Sequence, residues 1–420
     1  MAARWRASCC KRTIELTRDE ASALDRDDEL APFRDRFVLP DGVIYLDGNS
    51  LGPLPRAAPA RIEQVLRCEW GQSLIRSWTD HGWIDWQFRI GDKIGRLIGA
   101  QPGTTVVADS TSVNLFKLLA AALDQRPGRR VILTEKGNFP TDLYVAQGLT
   151  TLLQRGHELR AAANITAALD DDVAVLMLTH VDYRSGAMHD MAALTRAAHD
   201  VRALVLWDLS HSVGAVPLQL NADQVDFAVG CGYKYLNGGP GAPAFLYIAP
   251  HMQDGLRLPL TGWLGHAEPF AFEDTYRPAA GIGRAVVGTP PILSLAALEV
   301  GVDIALDVPM LAVRIKSLRL ADLFIELMQA LSAFTPLTPR GHATRGSQVA
   351  FAHPDGYAIM QALIERGVIG DFRAPDVLRF GLAPLYLRHT DIHDAVGILR
   401  DIMRTEAWRA GRFQTKRSVT

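Results

Sequence analysis

Cysteine is scarce in this chain: four residues in 420, at Cys9, Cys10, Cys68 and Cys231. Two stand side by side near the start, a spacing that makes neither a disulfide framework nor a zinc site. We therefore expect no bound metal and a reducing, cytoplasmic compartment. Net charge is scarce too. Lys and Arg number 44 against 46 Asp and Glu, a formal charge of -2, so no basic field argues for nucleic acid. No apolar run approaches the roughly 20 residues that span a bilayer, which argues against a membrane protein. Residues 1–13 carry Arg4, Arg6, Lys11 and Arg12, but lack the apolar middle of a signal peptide. What remains is a globular composition, 48% hydrophobic and 21% charged, long enough for two or three domains. A small-molecule partner is left by elimination.

Against this background one stretch is unusual. Residues 230–241 read Gly-Cys-Gly-Tyr-Lys-Tyr-Leu-Asn-Gly-Gly-Pro-Gly. Lys234 stands between two tyrosines, after an apolar run at 225–229 and before another at 244–248. Glycines let backbone or ligand come close. A free lysine amine has a pKa of roughly 10.4 and is a poor nucleophile at neutral pH. Burial or a second cation lowers that value and permits imine formation. Lys234 is therefore a candidate imine-forming lysine, and pyridoxal 5'-phosphate is the cofactor it suggests. That cofactor needs an acid for its ring nitrogen, a phosphate cradle, a stacking ring and an arginine for a carboxylate.

The rest of the chain supplies candidates. Apolar strands are expected at 105–109, 130–133, 173–178, 203–207, 225–229 and 244–248, with helical spacing between them. Unbroken apolar strands alternating with helices imply a mostly parallel sheet covered on both faces. Ligands of such sheets sit at the carboxyl ends of the strands. Thr111, Phe139, Thr179, Asp208, His211 and Lys234 all follow predicted strand ends, so they should gather along one edge. Asp208 would keep a pyridine nitrogen protonated, with His211 supporting it, and Asp142 would orient the same side. Phe139 could lie on the ring face. Thr111, Ser112 and Tyr233 could hold phosphate oxygens. Hydroxyls at a helix start are also ordinary caps, and the two roles are compatible. The loop after Tyr45, with Asn49 in it, is either a plain turn or a segment packed into the site. Helical spacing over 55–99 breaks near 80–82, beside Trp78, His81 and Trp83, where core packing competes with contact to an aromatic substrate. After residue 292 a long helical stretch with a break near Pro309 leads to short strands at 348–352, 367–372 and 377–380. This organisation predicts a peripheral segment over 1–40, a large cofactor domain over 41–292 and a small α/β domain over 293–420.

Eight motifs together resemble one family, kynureninase, within the aspartate-aminotransferase-like, fold-type I pyridoxal-phosphate enzymes. They are Tyr45-Leu46-Asp47-Gly48-Asn49-Ser50-Leu51-Gly52, Asp109-Ser110-Thr111-Ser112-Val113-Asn114, Asn138-Phe139-Pro140-Thr141-Asp142, Asp208-Leu209-Ser210-His211-Ser212, Tyr233-Lys234-Tyr235-Leu236-Asn237-Gly238-Gly239-Pro240-Gly241, Gly262-Trp263, Thr289-Pro290-Pro291 and Arg379-Phe380-Gly381. The resemblance implies a homodimer with active sites at the subunit interface. It implies that Trp263 and Thr289 reach the cofactor phosphate from the neighbouring subunit, and that Arg379 binds the substrate α-carboxylate. Trp78, Gly288 and Thr289 resemble the bacterial pattern, which prefers L-kynurenine to its 3-hydroxy form. The implied reaction hydrolyses the Cβ–Cγ bond of L-kynurenine to anthranilate and L-alanine, serving tryptophan catabolism or NAD biosynthesis. Lys234 would remove the α-proton and Tyr233 would supply one to the product carbanion, help of a kind that contributes about 100- to 10,000-fold. Other enzymes of the same fold are the nearest rivals. A cysteine desulfurase would need a thiolate in the second half of the chain, and none follows Cys231. A class V aminotransferase remains the alternative. A non-catalytic relative would be expected to lose Lys234, Asp208 or Arg379, and all three are present.

Overall fold

A computed structural model describes residues 17–415. Cys9, Cys10 and the basic opening segment lie outside the described residues. The centre is a seven-stranded sheet of β1 (Thr105–Val107), β2 (Val131–Glu135), β3 (Glu158–Ala162), β4 (Val173–Thr179), β5 (Leu204–Asp208), β6 (Phe227–Gly230) and β7 (Phe245–Ile248). Their spatial order is β1-β7-β6-β5-β4-β2-β3. The run from β6 through β5, β4 and β2 to β3 is parallel, while β7 is antiparallel to both its neighbours. This is the mostly parallel sheet that the strand–helix alternation predicts. Every residue of β4 and β5 is buried, which is why their sequences are apolar without alternation: helices cover both faces.

Strand β3 was not legible. It lies at the sheet's edge, half exposed, with Glu158 and Arg160 in it. Charged residues suit an edge strand, whose free backbone groups otherwise invite another chain, and they conceal the apolar signal. The expected break near 80–82 is real. The short helix Ser77–Asp80 stops, Gly82 takes a left-handed φ of 64°, and helix resumes at Trp86–Leu97. Pro309 likewise separates the helices Ile292–Leu306 and Met310–Met328, because proline offers no amide to continue the first.

Beyond it stands a four-stranded antiparallel sheet of β8 (Thr335–Pro336), β9 (Gln348–Ala352), β10 (Asp371–Arg373) and β11 (Val377–Gly381), in the order β8-β9-β11-β10. It has its own hydrophobic core, which also takes in Leu30, Phe37 and Leu46. The helix Arg18–Arg26 is tied to the helix His389–Thr405. Asp25 accepts from the His389 and Thr390 amides at 2.6 and 3.1 Å, and Arg18 pairs with Asp394 at 2.9 Å. The two-residue strand Ile44–Tyr45 runs parallel to Val368–Ile369. It carries residues 47–52 between the sheets, where the Gly52 amide donates to the Tyr233 carbonyl at 2.7 Å.

Candidate active site

The ends of β4, β5 and β6 meet. Thr179 closes β4 and Asp208 closes β5. Leu209 donates its amide to Val229 and Ser210 donates to the Asp208 carboxylate at 2.7 Å. This tight turn brings His211 back over the edge. Lys234, four residues after β6, then places its Nζ 2.9 Å from His211 Nε2. The same amine lies 5.9 Å from the centre of the Tyr233 ring.

Two buried carboxyls face Lys234. Asp142, in the first turn of the helix Pro140–Leu153, lies 3.3 Å from the Thr179 hydroxyl. Burial, and then the nearby Asp208, push the Asp142 carboxyl well above its ordinary range. Burial also raises Asp208, against the opposing pull of Ser210 and Lys234. Two acids that share one amine are short of counter-charge and favour a further cationic N–H beside them. Burial, and then the charges of Lys234 and Arg379, hold His211 well below its usual value, so its imidazole is neutral near pH 7. Burial raises the Tyr233 phenol, and Cys231 adds to the rise.

Supporting contacts fix this edge. Asn138 Oδ1 accepts from the Thr179 hydroxyl at 2.6 Å and from the Phe139 amide at 2.7 Å. The Phe139 ring is partly exposed and packs edge-on to Tyr183, at 5.2 Å between centroids. Thr111 and Ser112 open the helix Thr111–Gln125, with Ser110 as its cap. They are half-buried, so the first amides of a long helix remain accessible to an anion.

A second polar cluster lies on the small sheet. Arg379, on β11, is almost fully buried and grips Asp371 with Nε at 2.7 Å and with Nη2. Its Nη2 also reaches the Ser50 hydroxyl at 3.1 Å, and its Nη1 donates to the Tyr183 carbonyl. Arg373 adds a second cation on Asp371 at 2.8 Å. Burial would raise Asp371, but Arg379 overrides it and the carboxyl stays below its usual range. Asp47 is the reverse. Burial, and then the charge of Asp371, lift it to about 7.

Gln348, at the start of β9, joins the two clusters. Its Oε1 lies 3.1 Å from both Asn49 Nδ2 and His211 Nδ1, and its Nε2 donates to the carbonyls of Asp182 and Tyr183 at 3.2 and 3.0 Å. Sequence reading missed Gln348, Asp371 and Ser50. Ser50 stands within a quoted motif, but nothing local marks the other two. The Oδ1 of Asn49 is buried and has no hydrogen-bond partner among the described residues.

The remaining candidates have surroundings of their own. Trp78 packs edge-on against Trp83 at 6.0 Å, at the margin of the large core. Trp263 is exposed and touches Phe270 at 5.8 Å. Gly288 and Thr289 are exposed and line a cleft with Ala108, Asp109, Gly241 and Pro291. Among the described residues no group of His, Cys, Asp and Glu could hold a metal, and no helix is long and apolar enough to cross a membrane.

Comparison with solved structures defines the class first. The chain superposes on a cysteine desulfurase of Thermococcus onnurineus with a TM-score of 0.74, at 19% identity over 89% of this chain and 98% of the other. It superposes on a mutant of C-DES, with glycine covalently linked to its PLP cofactor, at 0.76, with 18% identity over 87% and 98%. These likenesses show the fold, that of the fold-type I enzymes. Sequence narrows the class. Residues 313–399 match the kynureninase C-terminal domain. The kynureninase of Burkholderia pseudomallei strain K96243 is 54% identical over 96% of this chain and all of its own length. That of Pseudomonas fluorescens is 52% identical over the same shares. The chain belongs to the kynureninase family.

Proposed function

We propose that this protein is a pyridoxal-phosphate-dependent hydrolase that cleaves the Cβ–Cγ bond of L-kynurenine, releasing anthranilate and L-alanine. The 54% identity to a kynureninase across 96% of the chain carries this reading and favours it over transamination. The 3-hydroxy substrate is the natural second candidate.

The donor set fits the cofactor. Asp208 and Asp142, both short of counter-charge, suit a protonated ring nitrogen, and the accessible start of the helix at Thr111 and Ser112 suits a phosphate. Phe139 is free to lie on a ring face, and Thr179 and His211 line the same edge. When bound, the cofactor supplies an electron sink for the carbanion at the substrate's α- and β-carbons. Lys234 Nζ takes the α-proton. Arg379 holds the α-carboxylate, a task suited to its planar fork, and the unpartnered Asn49 Oδ1 can accept a hydrogen bond from a substrate N–H. Water adds to the aryl ketone, and Tyr233 Oη delivers a proton to the alanyl carbon. The raised Tyr233 phenol keeps that proton at neutral pH.

Trp263, Gly288 and Thr289 are exposed in the single chain, which supports their serving a second copy in a homodimer; Trp78 would lie beside the substrate's ring. The division into a large and a small domain is supported by two hydrophobic cores, and because the helix Ile292–Leu306 gives Leu295, Leu298 and Val302 to the large one, the boundary is better drawn near Pro309 than at residue 292. With that substrate we place the protein in the cytoplasm, serving tryptophan catabolism or NAD biosynthesis. The deciding experiment adds pyridoxal phosphate to purified protein, records the imine absorbance, and then adds L-kynurenine while following anthranilate fluorescence. Imine absorbance and anthranilate release are expected. A new keto acid from pyruvate exchange in place of anthranilate would overturn the reading in favour of an aminotransferase.

A further inference from the structure

Gln348 carries information that no single contact shows. The carbonyl oxygens of Asp182 and Tyr183 can only accept, and both take hydrogen bonds from Gln348 Nε2. That fixes the amide's orientation, an assignment that must come from the bonding pattern. Its oxygen therefore faces Asn49 and His211, each at 3.1 Å. An amide oxygen cannot donate, so His211 Nδ1 must hold a proton. A neutral imidazole has one N–H, and the lone pair then sits on Nε2, facing the Lys234 amine at 2.9 Å.

We propose that Gln348 is a positioning residue: it locks His211 as the Nδ1–H tautomer and so keeps an acceptor, not a donor, in front of Lys234. The opposite tautomer would point an N–H at the lysine and repel its protonated form. Gln348 thus sets where the Lys234 amine rests while it carries a proton. Its four partners come from three chain segments, near residues 49, 182 and 211, so the lock also ties the small sheet to the large one. The tautomer assignment stands alone; its weight for turnover rests on the role proposed for Lys234. His211 is faced by Lys234, Arg379 and Arg373 as charged groups and by Gln348 as its neutral acceptor, so its ionisation answers to all four.

The test is ring-15N labelling of histidine in the full chain, with and without pyridoxal phosphate, read by proton–nitrogen correlation. The His211 signal is assigned by its loss in His211→Asn. The wild type should show a protonated Nδ1 and a bare Nε2. Gln348→Met removes the acceptor and should give a mixture of tautomers. Gln348→Glu places a carboxylate on Nδ1 and should bring the doubly protonated ring in near pH 7. Both variants should lose on the order of ten-fold in kcat, the equivalent of one buried hydrogen bond, with little change in KM. A protonated Nε2 in the wild type overturns the proposal even if neither variant folds. So do variants whose ring pattern or kcat matches the wild type. Anthranilate release is read on the same samples, so a wild type with the expected tautomer and no hydrolysis overturns the proposed activity and supports the tautomer assignment.

Discussion

The clusters on either side of Gln348 are built on opposite principles. At the edge of the large sheet, two buried acids face one amine, and burial pushes both acids towards their neutral forms. At the small sheet, Arg379 and Arg373 close on Asp371, which stays ionised. The first cluster is short of positive charge and suits an incoming cation. The second is internally paired, so an incoming carboxylate must compete with Asp371, Ser50 and the Tyr183 carbonyl for Arg379. The large-sheet edge is prepared before anything binds. In the role proposed for Arg379, the small-sheet cluster must exchange partners.

The sharpest way to break this comparison is to remove the amine. Lys234→Ala should lower anthranilate release by about 10,000-fold or more, since both proton transfer and covalent attachment are lost. Retained turnover would mean that the acids serve some other cation. Next in size is Arg379→Lys, which keeps the charge but loses the fork that holds Asp371 and a substrate carboxylate together. We expect kcat/KM to fall about 100-fold, and the melting temperature to fall as well, because Asp371 loses its two-point partner inside the protein. If kcat/KM falls while stability is untouched, Asp371 is held by Arg373 and the cluster is less tightly paired than it looks. Asp208→Asn is smaller again. It leaves the shape and removes the charge proposed to retain a ring-nitrogen proton, so kcat should fall on the order of 100-fold or less, with thermal stability steady or higher, because a buried acid has been neutralised.

The two clusters also differ in how far the sequence disclosed them. The large-sheet edge was readable because one rule, residues just past the ends of apolar strands, points to Thr179, Asp208, His211 and Lys234 together. Local pattern and proposed function coincide there. At the small sheet Arg379 entered through family likeness alone, and Gln348 was read only as the first residue of a strand. Its partners Asn49 and His211 lie 299 and 137 residues away in the chain, and no periodicity encodes such a meeting. Asp371 is hidden in the same way, since its pairing with Arg379 depends on β10 and β11 lying side by side. Strand β3 escaped for a different reason: an edge strand is selected to be charged, and the apolar signal goes with it.

The smallest effect expected is on pH, and it separates the clusters most cleanly. Asp47 sits beside Asp371 and Arg379, and burial followed by repulsion from Asp371 lifts its carboxyl to about 7, against roughly 3.9 when unfolded. Between those two values the folded chain holds a proton that the unfolded chain has released. The contribution of Asp47 is therefore present at low pH and is lost as pH rises towards about 7, by at most about 1.4 kcal/mol per pH unit. Buried His180 acts in the other direction. Burial, then His189, takes it down to about 3, so it costs stability as pH falls below roughly 6.5. Melting curves at pH 5 and pH 8 for the wild type and Asp47→Asn isolate the first effect, because His180 is common to both. The variant should gain on the wild type as pH rises, by a few degrees at most. An equal difference at both pH values would mean that Asp371 does not raise the Asp47 carboxyl, and that Arg379 and Arg373 neutralise both acids of the small-sheet cluster.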